Sequence, residues 1–293
     1  MIYDVVIIGG GASGLKTGIE ALKKQNKKTL IIESEDYLGG NLNLFIHHGF
    51  NNMTGPELAT LLVRKYKDLG GEFKVKSTVL SLDKDRNITY ISPNEGIQTI
   101  SAKKVVIASG MQERFTGNIN IPIHKFTGIF TIASAHKLIN FKGVLPAKEV
   151  VIIGKNRWSL ILARRFFIEG AKVKAILVDK NFGKSIKEED FKIIEGFNIP
   201  VIKNCEIIEL SGTTRVEEIV INNLDTNIEE TIPCDGVIIS VGYYPEIDFI
   251  QDKFEILENH NTNFEDVYIC GTARLGEVVL ETSYTDVPNI FLK

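Results

Sequence analysis

The residues Asp4-Val5-Val6-Ile7-Ile8-Gly9-Gly10-Gly11-Ala12-Ser13-Gly14 constrain this chain more than any other stretch. The continuous apolar run Val5 to Ile8 reads as a buried parallel strand. It enters a turn of the form G-x-G-x-x-G at Gly9, Gly11 and Gly14, and helical character follows from Leu15 to Lys24. Gly9 permits the tight turn, Gly11 lets backbone approach a pyrophosphate with no Cβ in the way, and Gly14 lets helix and strand pack closely. The unpaired amides at the helix start, around Ala12 and Ser13, face the phosphates. A second strand, Lys28 to Ile32, ends in Glu33, about 20 residues past the glycines, where a carboxylate can accept hydrogen bonds from a ribose. The stretch specifies an adenine dinucleotide.

With 293 residues, 44% hydrophobic and 24% charged, the chain suits one large globular domain or two smaller ones. A net charge of −3 leaves no footprint for nucleic acid or an anionic membrane. No apolar run reaches the length of a membrane span. Cys205, Cys234 and Cys270 are far apart and form no C-x-x-C, so neither a zinc knuckle nor a local redox dithiol is encoded. No signal peptide is read at the start, and the expected setting is a reducing cytoplasm.

Along the chain, Tyr37-Leu38-Gly39-Gly40-Asn41 reads as a loop, followed by the paired histidines His47 and His48. Thr54-Gly55-Pro56-Glu57 carries the spacing of a capping box, predicting a helix from Glu57 to Leu69. Short strands are expected from Glu72 to Ile100, and a strong apolar strand from Lys103 to Ala108, stopped by Ser109-Gly110. The opening pattern then recurs: strand Glu149 to Ile153, turn at Gly154, helix Leu160 to Glu169, and strand Lys172 to Val178 ending in Asp179. A second βαβ unit is therefore inserted after the first domain has begun. Strands around Glu206–Leu210, Val216–Asn222, Glu229–Ile232 and Val237–Val241 complete it, and Val267-Tyr268-Ile269-Cys270 runs into Gly271-Thr272.

The ordered set of Gly9–Gly14, Leu38-Gly39-Gly40, Thr54 to Leu58, Val105 to Gly110, Val150 to Asp179, Val241 to Pro245 and Tyr268 to Gly271 resembles one flavoprotein family. It is the thioredoxin-reductase-like branch of the pyridine nucleotide–disulfide oxidoreductases. Gly39 to Asn43 with Ile46-His47, and Gly110 to Arg114 with Gly128 to Thr131, resemble one subgroup. Its members are FAD-dependent oxidoreductases that accompany anaerobic glycerol-3-phosphate dehydrogenases. The resemblance implies an α/β protein of two Rossmann-like, three-layer ββα domains. The FAD-binding domain would comprise 1–114 and 243–293, and an NAD(P)-binding-like domain 115–242. It places Gly9, Gly11 and Gly14 on the FAD pyrophosphate, Glu33 with Ser34 at the adenosine ribose, and Val79 against adenine. Gly40 and Asn41 would pass beside the pyrophosphate or ribityl chain, Ala108-Ser109-Gly110 beneath the cofactor, and Gly271 near the ribityl hydroxyls. The family usually carries Asp after that last glycine, where this chain has Thr272. A short last helix is expected from about Gly276, with no appended iron–sulfur or dimerisation module.

The second glycine turn departs further, reading Gly154-Lys155-Asn156-Arg157-Trp158-Ser159. Asn156 puts a side chain where backbone should approach a pyrophosphate, and Ser159 is expected to loosen the helix–strand contact. Trp158 is read as packing that fills the vacated groove. Lys155 and Arg157 bind another anion or are surface charge. Asp179 remains as an acid suited to NAD, yet NAD(P)H binding is not expected to be normal. Thioredoxin reductases pass flavin electrons through a cysteine pair that this chain lacks. His47 then stands as the candidate acid–base or carboxylate-holding group, unless one histidine packs and the other is solvated. Three functions follow. One is an FAD-dependent oxidoreductase acting on a small organic substrate or passing electrons to a partner protein, alone, as a homodimer or as a dehydrogenase subunit. The others are an NAD(P)H-dependent flavin reductase or oxidase, and a non-catalytic FAD-binding protein.

Overall fold

The computed structural model describes residues 2–25, 28–113, 126–154, 156–179, 186–240, 242–275 and 286–288. Arg114, Lys155, Val241 and the helix expected from Gly276 lie outside the described residues. In chain order the elements begin with β1 (Ile2–Ile8), α1 (Ala12–Gln25), β2 (Thr29–Ile32) and α2 (Gly55–Asp68). Next come β3 (Glu72–Lys74), β4 (Thr78–Leu82), β5 (Asn87–Ser92), β6 (Gly96–Ile107) and β7 (Met111–Glu113). The middle of the chain supplies β8 (Ile129–Thr131), α3 (Ile132–Lys142), β9 (Glu149–Ile153), α4 (Arg157–Ile168) and β10 (Lys172–Asp179). It continues with β11 (Val201–Gly212), β12 (Val216–Asn223), β13 (Ile228–Pro233), β14 (Gly236–Ile239) and β15 (Tyr243–Pro245). The last described elements are β16 (Val267–Ile269) and α5 (Thr272–Leu275).

The chain divides into two compact units, 1–112 with 244–293, and 113–243. The crossings fall a residue or two from those expected, at Gln112/Glu113 and Tyr243/Tyr244.

In the first unit the sheet runs β3-β2-β1-β6-β5-β4, with β16 also paired to β6. β2, β1, β6 and β16 are parallel, and β4, β5 and the start of β6 form an antiparallel meander. One strand thus serves both layers, because Gly96–Ser101 pairs with β5 while Ser101–Ile107 pairs with β1. The meander closes one face of the sheet over Val6, Ile8, Leu30, Ile32, Val105 and Ile107, with Leu82, Ile88 and Tyr90 packed in the same core. On the other face Ile7 meets Gly14 and Gly18 of α1. Tyr66 of α2 is fully buried and its hydroxyl donates to the Thr29 and Glu72 carbonyls, bolting α2 to the β2–β3 edge. The capping box at the start of α2 forms as expected, Thr54 Oγ1 accepting from Glu57 N and Glu57 Oε2 from Thr54 N. The result is a helix layer, a parallel sheet and a meander.

The second unit repeats the plan. Its sheet runs β13-β12-β11-β10-β9-β14-β8, parallel from β11 to β8 and antiparallel through β12 and β13. β11 (Val201–Gly212) serves both parts of this sheet, pairing with β10 through Val201–Cys205 and with β12 through Cys205–Gly212. Val151, Ile153, Ala175 and Leu177 pack against Leu210, Ile219, Ile221 and Ile232. α4 packs on β9 and β10. Both units are therefore Rossmann-like, and the second is inserted in the first. No described helix is long and apolar enough to cross a membrane.

Candidate functional site

In the first unit, the carboxyl ends of β1, β2, β6 and β16 meet at one rim of the sheet, the edge where open α/β folds place ligands. Gly9 follows β1 with φ +106°, and a Cβ added there would stand within 2.3 Å of the Ala108 carbonyl oxygen. A Cβ on Gly14 would lie 2.0 Å from the Gly9 oxygen. Those two glycines are required by packing within the chain. Gly11 differs, since a Cβ there would meet nothing within 4 Å among the described residues. Its hydrogens face open space at the start of α1, beside Ala12 and the nearly buried Ser13.

A second loop crosses the first. Gly39 N donates to the Gly10 carbonyl at 2.8 Å, and Gly40, with φ +52°, approaches Gly11 so closely that an added Cβ would lie 3.0 Å from the Gly11 Cα. Asn43 Nδ2 holds this loop in a short 3-10 turn by donating to the Leu38 and Gly40 carbonyls. Asn41 is exposed at its tip. Ala108 N donates to Ile8 O at 2.8 Å, Ser109 Oγ donates to the Glu246 carbonyl at 2.6 Å, and Gly110 lies beside the Thr272 hydroxyl, 3.7 Å from where its Cβ would be.

Glu33 ends β2 and is 7% exposed. Its Oε2 accepts from Gly10 N at 2.6 Å, while Oε1 accepts from Glu35 N at 2.8 Å and the exposed Ser34 hydroxyl at 3.2 Å. An ionised carboxylate has about four acceptor positions, so most are already filled by the chain. Glu33 is a clamp on the glycine loop as well as a ribose candidate. Val79 stands apart on β4, half-buried against the core.

His47 follows the Gly40–Leu44 turn and is buried, its ring centroid 6.0 Å from that of Phe45 and 5.7 Å from that of Phe50. Gly49 leaves room for it, because a Cβ there would come within 2.5 Å of Nε2. His48 is exposed.

Sequence reasoning missed Asp286. Its Oδ2 accepts from Gly271 N at 2.7 Å, and its Oδ1 accepts from Arg274 at 2.6 Å and lies 2.9 Å from His260 Nε2. Burial opposes its ionisation, but Arg274, His260 and the Gly271 amide outweigh burial and hold the carboxyl below its usual range. A carboxylate therefore does sit at Gly271, supplied from fourteen residues beyond Thr272 in sequence. No spacing rule links the two positions.

In the second unit, Gly154 and Asn156 join β9 to α4, and Asp179 ends β10. Asn156 is the N-cap of α4: its Oδ1 accepts from Trp158 N at 3.0 Å. Trp158 is 4% exposed and lies 6.0 Å from the Tyr243 ring, centroid to centroid, so it packs as expected. Ser159 does not loosen the helix. It is fully buried, and its Cβ lies 3.2 Å from where a Gly154 Cβ would stand, so the first glycine alone gives the close approach. Arg157 pairs with Asp190 at 3.5 Å. Glu113 and Tyr243 also join this mouth. Tyr243 and Glu113 each lie in a quoted motif, Val241 to Pro245 and Gly110 to Arg114, but neither had a role assigned.

The sequence model of the pyridine nucleotide-disulphide oxidoreductase family matches residues 3–288. A Clostridium pasteurianum protein described as the 34.2 kDa protein in the rubredoxin operon is 24% identical over 92% of this chain and 89% of its own length. Thioredoxin reductase of Borreliella burgdorferi is 26% identical over 92% of this chain and 84% of its own. The crystal structure of T. acidophilum thioredoxin reductase superposes with a TM-score of 0.75 at 24% identity, covering 97% of this chain and 94% of that one.

Proposed function

Because the chain belongs to the pyridine nucleotide-disulphide oxidoreductase family, we propose that its first unit holds FAD on the Gly9–Gly14 cradle and oxidises a small organic substrate or passes electrons to a partner. The observation that carries this reading is the contrast among the three glycines. Gly9 and Gly14 are needed by the fold, whereas Gly11 faces open space beside Gly40, where a pyrophosphate fits.

Bound FAD supplies the two-electron chemistry. Gly11, Ala12, Ser13 and Gly14 offer backbone at the start of α1 for the pyrophosphate. Glu33 accepts from the ribose at its remaining position, and Ser34 can yield a second. Gly40 and Asn41 flank the pyrophosphate, Val79 the adenine, Ala108-Ser109-Gly110 the underside, and Gly271 with Thr272 the ribityl chain. His47, fixed between Phe45 and Phe50, takes the proton released from a substrate hydroxyl or amine. The second unit is a nucleotide-binding fold with a degenerate site, its turn at Gly154 and Asn156 and its acid, Asp179, at the end of β10.

The enzyme works without a cysteine pair of its own. Cys205, Cys234 and Cys270 are buried and none of them is in a disulfide. Burial pushes the Cys234 thiol up to about 11 and the Cys270 thiol up to about 12, away from the thiolate that disulfide exchange needs. Free thiols suit the cytoplasm. A relative described by its place in a rubredoxin operon favours a small redox protein as the partner class. The likeness of Gly39 to Asn43 with Ile46-His47, and of Gly110 to Arg114 with Gly128 to Thr131, to flavoproteins beside glycerol-3-phosphate dehydrogenases puts glycerol 3-phosphate first among substrates. Anaerobic mixing with glycerol 3-phosphate, amino acids and reduced small redox proteins, followed by flavin absorbance, tests the reading. Bleaching by one of them supports it. A flavin that none of them reduces and none reoxidises contradicts it.

A further inference from the structure

The family takes part of its name from a pyridine nucleotide, and the second unit does not fit one. We infer that Asn156, Trp158 and Tyr243 close this unit's mouth against NADH and NADPH, so that neither nucleotide delivers electrons to the flavin. The last clause rests on the FAD reading of the first unit; the closure does not.

A dinucleotide's pyrophosphate is held by unpaired amides at the start of the helix that follows the glycine turn. In α4 two of those amides, on Trp158 and Ser159, are taken. Asn156 Oδ1 accepts from Trp158 N at 3.0 Å, and the Asn156 carbonyl accepts from Ser159 N at 3.0 Å. The start of α3 is filled in the same way. Glu113 Oε2 accepts from Ala133 N at 2.7 Å, and Thr131 Oγ1 accepts from Ser134 N at 3.3 Å. Glu113 is itself an acid, so it fills with the chain's own carboxyl a place that a phosphate would favour.

The two caps are joined. Asn156 Nδ2 donates to the Tyr243 hydroxyl at 3.3 Å, and that hydroxyl donates to Glu113 Oε1 at 3.3 Å. Donation runs one way from the start of α4 to the start of α3. Seating a pyrophosphate at Asn156 would turn its side chain off Trp158 N and break the link to Tyr243, leaving hydroxyl and carboxyl desolvated. Burial already pushes both Tyr243 and Glu113 up from their ordinary values. Trp158, packed on Tyr243, occupies the space in front, and Arg157 is engaged by Asp190. Shape, amides and local charge all act against the nucleotide.

Trp158 is the chain's single tryptophan, so its emission reports on this mouth directly. The holoenzyme should be titrated with NADH and, separately, NADPH, following energy transfer from Trp158 and nicotinamide emission. The expected result is no saturable signal up to about 1 mM; saturation in the micromolar range would overturn the closure. In a second arm, Asn156→Gly/Trp158→Ala/Ser159→Gly should tighten NADH binding at least about tenfold, read by nicotinamide emission. A folded variant, judged by circular dichroism, with unchanged affinity would overturn the assignment of these side chains. Should the triple variant not fold, Tyr243→Phe keeps the ring and loses the relay. It should raise acrylamide quenching of Trp158, and unaltered quenching would overturn the relay. Flavin content is measured alongside. Loss of flavin with no nucleotide binding would sink the first-unit reading and leave the closure standing.

Discussion

Gly40 lies against Gly11, so near that a methyl group on Gly40 would stand 3.0 Å from the Gly11 Cα. Two loops separated in sequence thus present bare backbone to one point in the first unit. Substituting the glycines should separate folding from binding. A Cβ at Gly11 would meet nothing within 4 Å among the described residues, so the Gly11→Val protein should fold and melt normally yet purify without flavin. Gly14→Ala drives a Cβ into the Gly9 carbonyl and should destabilise the fold by roughly 1–3 kcal/mol or more. Thermal melts with flavin absorbance distinguish the two, and a flavin-replete Gly11→Val protein would contradict the cradle.

Asp286 supplies the carboxylate at Gly271. Asp286→Asn should lower stability at pH 7 by about 1.5–3 kcal/mol, the usual scale for hydrogen bonds to a charged group. Because the folded carboxyl is held below its ordinary range, its contribution is complete above that range and is lost as pH falls through the depressed value. Urea melts should show the gap between wild type and variant closing at strongly acid pH. A gap independent of pH would rule out the ionised form as the source.

Glu113 has the opposite sign. Burial raises its carboxyl in the fold, so the folded state holds the proton more tightly than the unfolded chain does. Stability therefore declines as pH rises from the ordinary carboxylate range through the raised value. Glu113→Gln keeps an acceptor for Ala133 N and removes the charge. It should match wild type near pH 4 and equal or exceed it near pH 8. Greater loss at the higher pH would contradict the assignment.

His47 is expected to act on protons and not on flavin binding. With a reducing substrate in hand, His47→Gln should slow anaerobic flavin reduction by about 10²–10⁴, with flavin content unchanged. Gly49→Ala, which would push on His47 Nε2, should reproduce part of that slowing. Full-rate reduction by the His47→Gln protein would leave the ring as packing between Phe45 and Phe50.

The fold was largely legible because buried parallel strands announce themselves as apolar runs. Val5–Ile8, Val105–Ile107 and Val150–Ile153 all became central strands. The α2 capping box was readable for the same reason, as Thr54 and Glu57 bond within one turn. What the sequence concealed depends on partners far apart along the chain. Asp286 reaches Gly271, Glu113 reaches Tyr243 across the whole second unit, and Glu33 turns back onto Gly10. Local patterns carry no trace of such pairs. Ser159 was misread because the close contact depends on Gly154 lacking a side chain and tolerates one at 159.

Everything proposed for the first unit depends on FAD being carried on Gly9, Gly11 and Gly14. Chromatography of the small molecule released when the purified, FAD-reconstituted protein is denatured tests it most directly. FAD at about one equivalent per chain is the expected result, the glycine turn and Glu33 being the pair proposed to select a dinucleotide. FMN in its place, or no flavin after FAD has been supplied, would contradict it.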